Sequence, residues 1–155
     1  MTGIPASLPR QLRQLRDRTT PLFDLPEAQL RRGYRKGGWN VRQLLVHISD
    51  VETVFLDRMR RVVAQDKALL MAIDPDGWAD RLDYRDRDLA IAQAQFVAAR
   101  SSAIELIERH RDLHARTGVH SENGKLSLAD IAGRVAWHHQ HHLEQVEKAL
   151  KPGRR

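Results

Sequence analysis

The sequence predicts an all-α protein built as a four-helix bundle. Four segments carry apolar residues at the spacing of one helix face, and no segment shows the regular alternation of a strand. The chain has 155 residues, about the size of one domain. We therefore expect a single domain over residues 1–155, with its core in about residues 8–150.

The first predicted helix is short and runs from about Leu8 to Arg18. Leucines recur along it at helical spacing among arginines. Pro9 suits a first turn, whereas Pro21 cannot continue the helix. A mixed connector follows and ends in two glycines, which stop any helix.

The second predicted helix has the clearest start. Asn40 is a good N-cap, and Gln43 three residues later completes a capping box. Apolar residues recur on one face until the helix ends near Gln65. The stretch at 66–87 contains Asp-Pro and Asp-Gly turn signals, so it predicts a loop that crosses the domain.

The third predicted helix spans about Asp88 to His110, and its alanines favour close packing. The following loop at 112–126 contains an Asn-Gly turn, which leaves a short hairpin as an alternative to an irregular loop. Ser127 then caps the fourth helix, which runs to about Leu150. A hairpin would not change the fold class.

Composition excludes several kinds of site and partner. The chain has no cysteine, so a metal must be held by imidazole and oxygen. Net charge is +6, but the basic residues form no run interleaved with aromatics, so we do not expect a nucleic-acid partner. We find no signal-peptide core and no apolar stretch approaching the length of a membrane span, and we expect a cytoplasmic protein.

The stretch "AWHHQHH" at 136–142 places histidines on the fourth helix. His138 and His142 are one turn apart and about 40° apart around the axis, on the apolar face, as two ligands of one ion must be. His47 lies at the edge of the apolar face of the second helix. Alone it is more often a packed residue, but three imidazoles from two helices suit a catalytic type of metal site. His139 and His141 have no such arrangement.

Two separated motifs resemble the DinB-like superfamily, most closely its YfiT-type branch. The first is "GGWNVRQLLVHISDVE" at 37–52, the second is "AWHHQHH" at 136–142, and "PDGWADRLDY" at 75–84 is similar to the connector of that branch. The resemblance implies a four-helix bundle that is often a dimer, with a divalent metal, zinc or nickel. It carries the three ligands onto His47, His138 and His142 and leaves His139 and His141 as surface or supporting residues.

The resemblance also implies an activity. Members include metal-dependent hydrolases of small molecules and S-transferases that use a low-molecular-weight thiol. An ion with an open position would stabilise hydroxide or thiolate there. Asp50 is the candidate for a general base or for orienting a ligand; an Asp paired with an Arg at the surface is the alternative. A non-catalytic, stress-related binding or dimerisation bundle with a metal site is the alternative function.

Overall fold

A computed structural model describes residues 3–153. Four long helices dominate it, as the sequence predicts. In chain order the elements are α1 (Leu8–Thr19), a 3₁₀ turn (Thr20–Asp24), α2 (Glu27–Leu30), α3 (Val41–Ala64), β1 (Ala68–Leu70), α4 (Pro75–Arg81), α5 (Leu89–Arg109), a second 3₁₀ turn (Arg111–Leu113), β2 (Thr117–His120), β3 (Gly124–Ser127) and α6 (Leu128–Leu150).

Capping boxes start the two helices that carry the histidines. The Asn40 side chain accepts a hydrogen bond from the Gln43 amide, and the Gln43 side chain accepts one from the Asn40 amide. Ser127 and Asp130 form the same reciprocal pair at the start of α6. The box at Asn40 and the cap at Ser127 agree with the sequence prediction, and they fix where α3 and α6 begin.

A three-stranded sheet lies beside the bundle, in the order β1-β2-β3. The β2–β3 hairpin is the alternative that the sequence left open for 112–126. The prediction of a loop for 66–87 is incomplete, because this connector contains β1 and α4. β1 has three residues and pairs in parallel with β2, about fifty positions later, so no local pattern indicates it.

The apolar core has two parts along the bundle. One contains the sheet, the C-terminal halves of α3 and α5 and the first half of α6. The other contains the N-terminal halves of α3 and α5, the end of α6, and residues from α2, α4 and their connectors. On α3, α5 and α6, a buried polar residue falls where one part gives way to the other: Glu52, Arg100 and His139.

These polar residues form one buried network. Arg100 is fully buried, and its guanidinium donates to both oxygens of Glu52 at 2.6 and 2.9 Å. It also donates to the Leu12 carbonyl at 3.1 Å and to His139 Nδ1 at 2.7 Å. One side chain therefore links all four long helices. A buried charge of this kind needs a partner for every donor.

In the described part of the chain, no helix is long and apolar enough to span a bilayer.

Candidate metal centre

Three histidines meet between α3 and α6. His47 comes from α3, and His138 and His142 come from successive turns of α6. One potential ligand atom of each lies within 4.8 Å of the other two. The Nε2 atoms of His47 and His138 are 3.0 Å apart. The structure thus brings together the three residues that the resemblance selected.

Burial keeps these imidazoles neutral. It lowers the pKa of His47 to about 3 and that of His138 to about 2, with a further contribution from the neighbouring histidines. Burial also lowers the pKa of His142. A neutral imidazole has a nitrogen lone pair that can bind a cation. Two unprotonated Nε2 atoms at 3.0 Å would repel, so this contact favours a proton or a cation between them.

Contacts behind the cluster fix two of the rings. His142 Nδ1–H donates to Gln145 Oε1 at 2.7 Å, which leaves the lone pair on Nε2. The Trp39 ring packs against two of the histidines, with its centroid 4.8 Å from that of the His47 ring and 6.4 Å from that of the His142 ring. His47 Nδ1 is buried and has no hydrogen-bond partner among the described residues. His47 is therefore held by ring packing, and His142 by a hydrogen bond as well.

This donor set fits a divalent ion. Two nitrogens about 2.05 Å from one ion in tetrahedral geometry are about 3.3 Å apart, so small side-chain shifts would bring the three rings to that spacing. Within residues 3–153, no carboxylate joins the three histidines as a fourth ligand. Three protein ligands are typical of a catalytic zinc site, whereas structural sites usually have four.

The cluster forms part of the wall of a cavity of about 270 Å³. Apolar side chains make most of the remaining wall, and the one charged group in it is the guanidinium of Arg58. The lining residues besides the three histidines and Arg58 are Trp39, Val51, Val54, Phe55, Ile73 and Pro75. Within residues 3–153, the lining contains no hydroxyl, amine or carboxylate.

Asp50 is engaged elsewhere. It is buried, and Arg87 donates to both of its oxygens at 3.0 and 3.2 Å. Gln95 donates to Oδ1 at 2.9 Å. Asp50 does not line the cavity, and its effect on His47 is electrostatic, raising the pKa of His47 against the larger effect of burial. The geometry matches the Arg-paired alternative, although the pair is more buried than a surface pair.

The other two histidines of the motif have different environments. His141 is exposed and its ring stacks on Trp137, with centroids 5.4 Å apart. His139 is buried, so of the two alternatives, surface residue or supporting residue, burial excludes the first for it. Its Nδ1 accepts from Arg100, and its Nε2–H donates to Thr19 Oγ1 at 2.7 Å. Burial, with the charge of Arg100, lowers the pKa of His139 to about 2.

Sequence reasoning missed two residues of the site, Gln145 and Arg58. Gln145 is three residues after His142, the usual spacing for neighbours on a helix, and this signal could have indicated it. Arg58 is eleven residues after His47, which is about 20° around the helix, so both face the same side. Arginines are common in the chain, which hides this one.

The fold and the three-histidine cluster define a helical bundle with a candidate metal centre, and comparison with known proteins gives its family. The family model of the DinB superfamily matches residues 11–146, so the chain belongs to that superfamily. This membership agrees with the resemblance of the two sequence motifs.

Relatives support this membership, and a solved structure shows the same fold. Two proteins of Oceanobacillus iheyensis, each named "Putative metal-dependent hydrolase", are 30% identical over 134 and 129 residues. The alignments cover 84% and 81% of this chain and 76% and 73% of the relatives. The structure of YfiT from Bacillus subtilis, described as "a probable metal-dependent hydrolase with an unusual four-helix bundle topology", matches with a TM-score of 0.82. It is 19% identical, and the match covers 96% of this chain and 89% of YfiT.

Proposed function

We propose that this protein is a metal-dependent hydrolase of small molecules, with His47, His138 and His142 as ligands of a divalent ion. The observation that carries the proposal is the convergence of three neutral imidazoles, within 4.8 Å, on the wall of an apolar cavity. The names of the relatives support the same reaction class. Zinc and nickel both suit three imidazoles.

The residues around the ion have distinct parts in this proposal. Gln145 holds the His142 tautomer that presents Nε2, and Trp39 covers the histidines on one side. The apolar walls lower the local dielectric around the histidines and so strengthen the electrostatic interactions there. When bound, a divalent ion stabilises the anionic form of water or of a thiol, and so makes a nucleophile available at neutral pH.

The nucleophile comes from outside the protein in this proposal. The cavity lining has no hydroxyl, amine or carboxylate within residues 3–153. The same observation favours a second candidate, an S-transferase in which the nucleophile is the sulfur of a low-molecular-weight thiol rather than water. The two differ only in the molecule that is activated, because both need the same cation and the same apolar cavity.

The ligand assignment is tested by metal content. We expect His138→Ala to lose most of the bound metal, because two ligands on separate helices remain, and to keep most of its helix content. His110→Ala is the control, since His110 lies at the end of α5, outside the cluster. Elemental analysis and circular dichroism measure both variants. Full metal content in His138→Ala would contradict the assignment of His138 as a metal ligand.

The reaction is tested on protein loaded with zinc or with nickel. We expect turnover of an ester panel, or of electrophiles supplied together with low-molecular-weight thiols, that disappears on chelation and returns on reloading. A hydrolase acts without added thiol, whereas an S-transferase requires it. Stoichiometric metal with no turnover in either panel would instead favour the non-catalytic bundle.

We also infer a homodimer, with the exposed face between α1 and α6 as its interface. Trp137 is 68% exposed on this face, beside a groove that includes Leu8 and Ala136. An exposed aromatic next to an apolar groove is typical of an interaction surface. Light scattering should give twice the monomer mass for the wild type, and Trp137→Glu should give the monomer.

A further inference from the structure

Arg58 occupies an unusual position in the wall of the histidine cavity. It also lines a neighbouring outer cleft of about 500 Å³, so it lies between the two spaces. Its Nη2 donates to the Met71 carbonyl at 2.6 Å, and its guanidinium lies over the Phe55 ring at 5.7 Å. These contacts hold the guanidinium in place at the cavity.

The donors of Arg58 are incompletely used. Its Nε is buried and has no hydrogen-bond partner among the described residues. Of its donors, Nη2 has a hydrogen bond in the structure. A guanidinium has five N–H donors in a fixed fork that matches a carboxylate or a phosphate. Nε is too buried to contact a ligand directly, but Nη1 also has no hydrogen bond among the described residues, so the fork keeps N–H donors free for an anionic ligand.

Charges of both signs act on Arg58, and the effect of the positive Arg134 is larger than that of the negative Asp57. Burial, and then the charge of Arg134, lower the pKa of Arg58. Arg58 and Arg134 in turn lower the pKa of His120, after the larger effect of burial. No ion pair to either arginine is found among the described residues. The neighbouring Asp57 is paired with Arg61 at 2.7 Å.

Two acidic groups interact with Arg134 and His120: Asp130 with Arg134, and Glu122 with His120. Asp130 accepts the Ser127 amide at 2.8 Å as part of the α6 capping box. Glu122 raises the pKa of His120, but less than the two arginines and burial lower it. Asp57 and Asp130 therefore interact electrostatically with Arg58 and Arg134, but no acidic group within residues 3–153 forms an ion pair with either arginine.

We propose that Arg58 binds an anionic group of the substrate. This inference rests on the proposed function and specifies its substrate class: a small amphiphile with a carboxylate or phosphate at one end. The apolar body would lie against Val51, Val54 and Ile73, and the anionic end on the fork of Arg58. The reacting group would then face the three histidines.

The test uses two ligands of the same shape, 3-phenylpropionate and its neutral amide, 3-phenylpropionamide. Calorimetric titration measures both affinities in chelator-treated and in zinc-loaded protein. We expect the wild type to bind the carboxylate at least about tenfold more tightly than the amide in both metal states. Phenyl phosphate, titrated in parallel, tells whether the anion is better matched by phosphate or by carboxylate.

The variants assign the preference to Arg58. In chelator-treated protein, Arg58→Gln should bind the two ligands equally, and Arg58→Lys should keep part of the preference, because it keeps the charge but loses the fork. Arg60→Gln is the matched control, because Arg60 is exposed on the same helix and its substitution removes the same charge. It should retain the full preference. Thermal melting and metal analysis establish that each variant is folded and loaded like the wild type.

Three results in chelator-treated protein would overturn the inference: equal or undetectable binding of the two ligands by the wild type, an unchanged preference in folded Arg58→Gln, or an equal loss in Arg60→Gln. If Arg58→Gln does not fold, Arg58→Lys decides by the same comparison. A carboxylate preference in a protein that binds no metal would contradict the proposed function alone. Metal binding without the preference would contradict this inference alone.

Discussion

At the scale of single residues, the contact between His142 and Gln145 determines which nitrogen of His142 is available. Nδ1–H donates to Gln145 Oε1, so Nε2 carries the lone pair. The structure shows no such partner for Nδ1 of His47, whose ring is held by Trp39 instead. The hydrogen bond to Gln145 is therefore the main polar support behind the cluster.

We predict that Gln145→Leu weakens zinc binding by about tenfold or more, because the His142 ring loses its preferred tautomer and orientation. Competition with a chromophoric chelator measures the affinity. Gln140→Leu is the control, because Gln140 pairs with Glu144 on the same helix and lies outside the cluster. Equal affinity of Gln145→Leu and the wild type would show that this contact does not orient the ligand.

At the scale of elements, two glycines have opposite surroundings. A Cβ on Gly118, in β2, would lie 3.0 Å from the Ala68 carbonyl oxygen and 3.0 Å from the Leu70 side chain, so the close approach of β1 and β2 requires glycine. A Cβ on Gly133, in α6, would meet nothing within 4 Å. The same substitution should therefore have opposite effects at the two positions.

We expect Gly118→Ala to lower the free energy of unfolding by about 1–3 kcal/mol, because the added methyl overpacks the sheet. Gly133→Ala should raise it by about 0.5–1 kcal/mol, because alanine is the better helix former. Urea denaturation of the two variants and the wild type checks both signs. A stabilising Gly118→Ala would mean that the strands adjust without cost.

Local signals predicted the elements that have local causes. The long helices and both capping boxes follow from period and from residues three positions apart, and the pair His138 and His142 follows from the helical turn. β1 could not be predicted, because its three residues depend on a partner far along the chain. The approach of His47 to α6 could not be derived from periodicity either, since it depends on which helices pack together.

At the scale of the whole molecule, the buried network of Arg100 joins the four long helices. It carries one acid, one guanidinium and a neutral histidine, with Glu52 and His139 on either side of Arg100. Since Arg100 donates to His139 Nδ1, protonation of that atom would set two positive groups against each other in the core. The folded state therefore opposes the charging of His139.

We predict that metal-free protein loses stability as the pH falls below about 6.5. His47, His138 and His139 have folded pKa values of about 3, 2 and 2, below the ordinary value of 6.5. Between these values the unfolded chain takes up protons that the folded chain cannot. Each histidine therefore lowers the free energy of unfolding by about 1.4 kcal/mol per pH unit. Urea denaturation between about pH 6.5 and 4.5 measures the slope, since carboxylates titrate mainly below this window.

The contribution of the network can be separated within the same series. His139→Gln keeps an acceptor for Arg100 but cannot take up a proton. The slope of the free energy of unfolding against pH should therefore fall by the contribution of one proton, about 1.4 kcal/mol per pH unit, relative to the wild type. His141→Gln, an exposed position, is the control. An unchanged slope in His139→Gln would show that His139 does not titrate differently in the folded and unfolded chains.

His47 and His138 of the candidate centre are in contact, although they are 91 positions apart in the sequence. In an unfolded chain the four histidines of residues 138–142 are neighbours in sequence, whereas His47 is remote from them. The proposed set of three ligands therefore exists only once α3 and α6 have docked. Cation affinity and native structure are then thermodynamically linked. Under metal starvation this chain would become the more easily unfolded and proteolysed, and its cellular abundance would follow the supply of the ion.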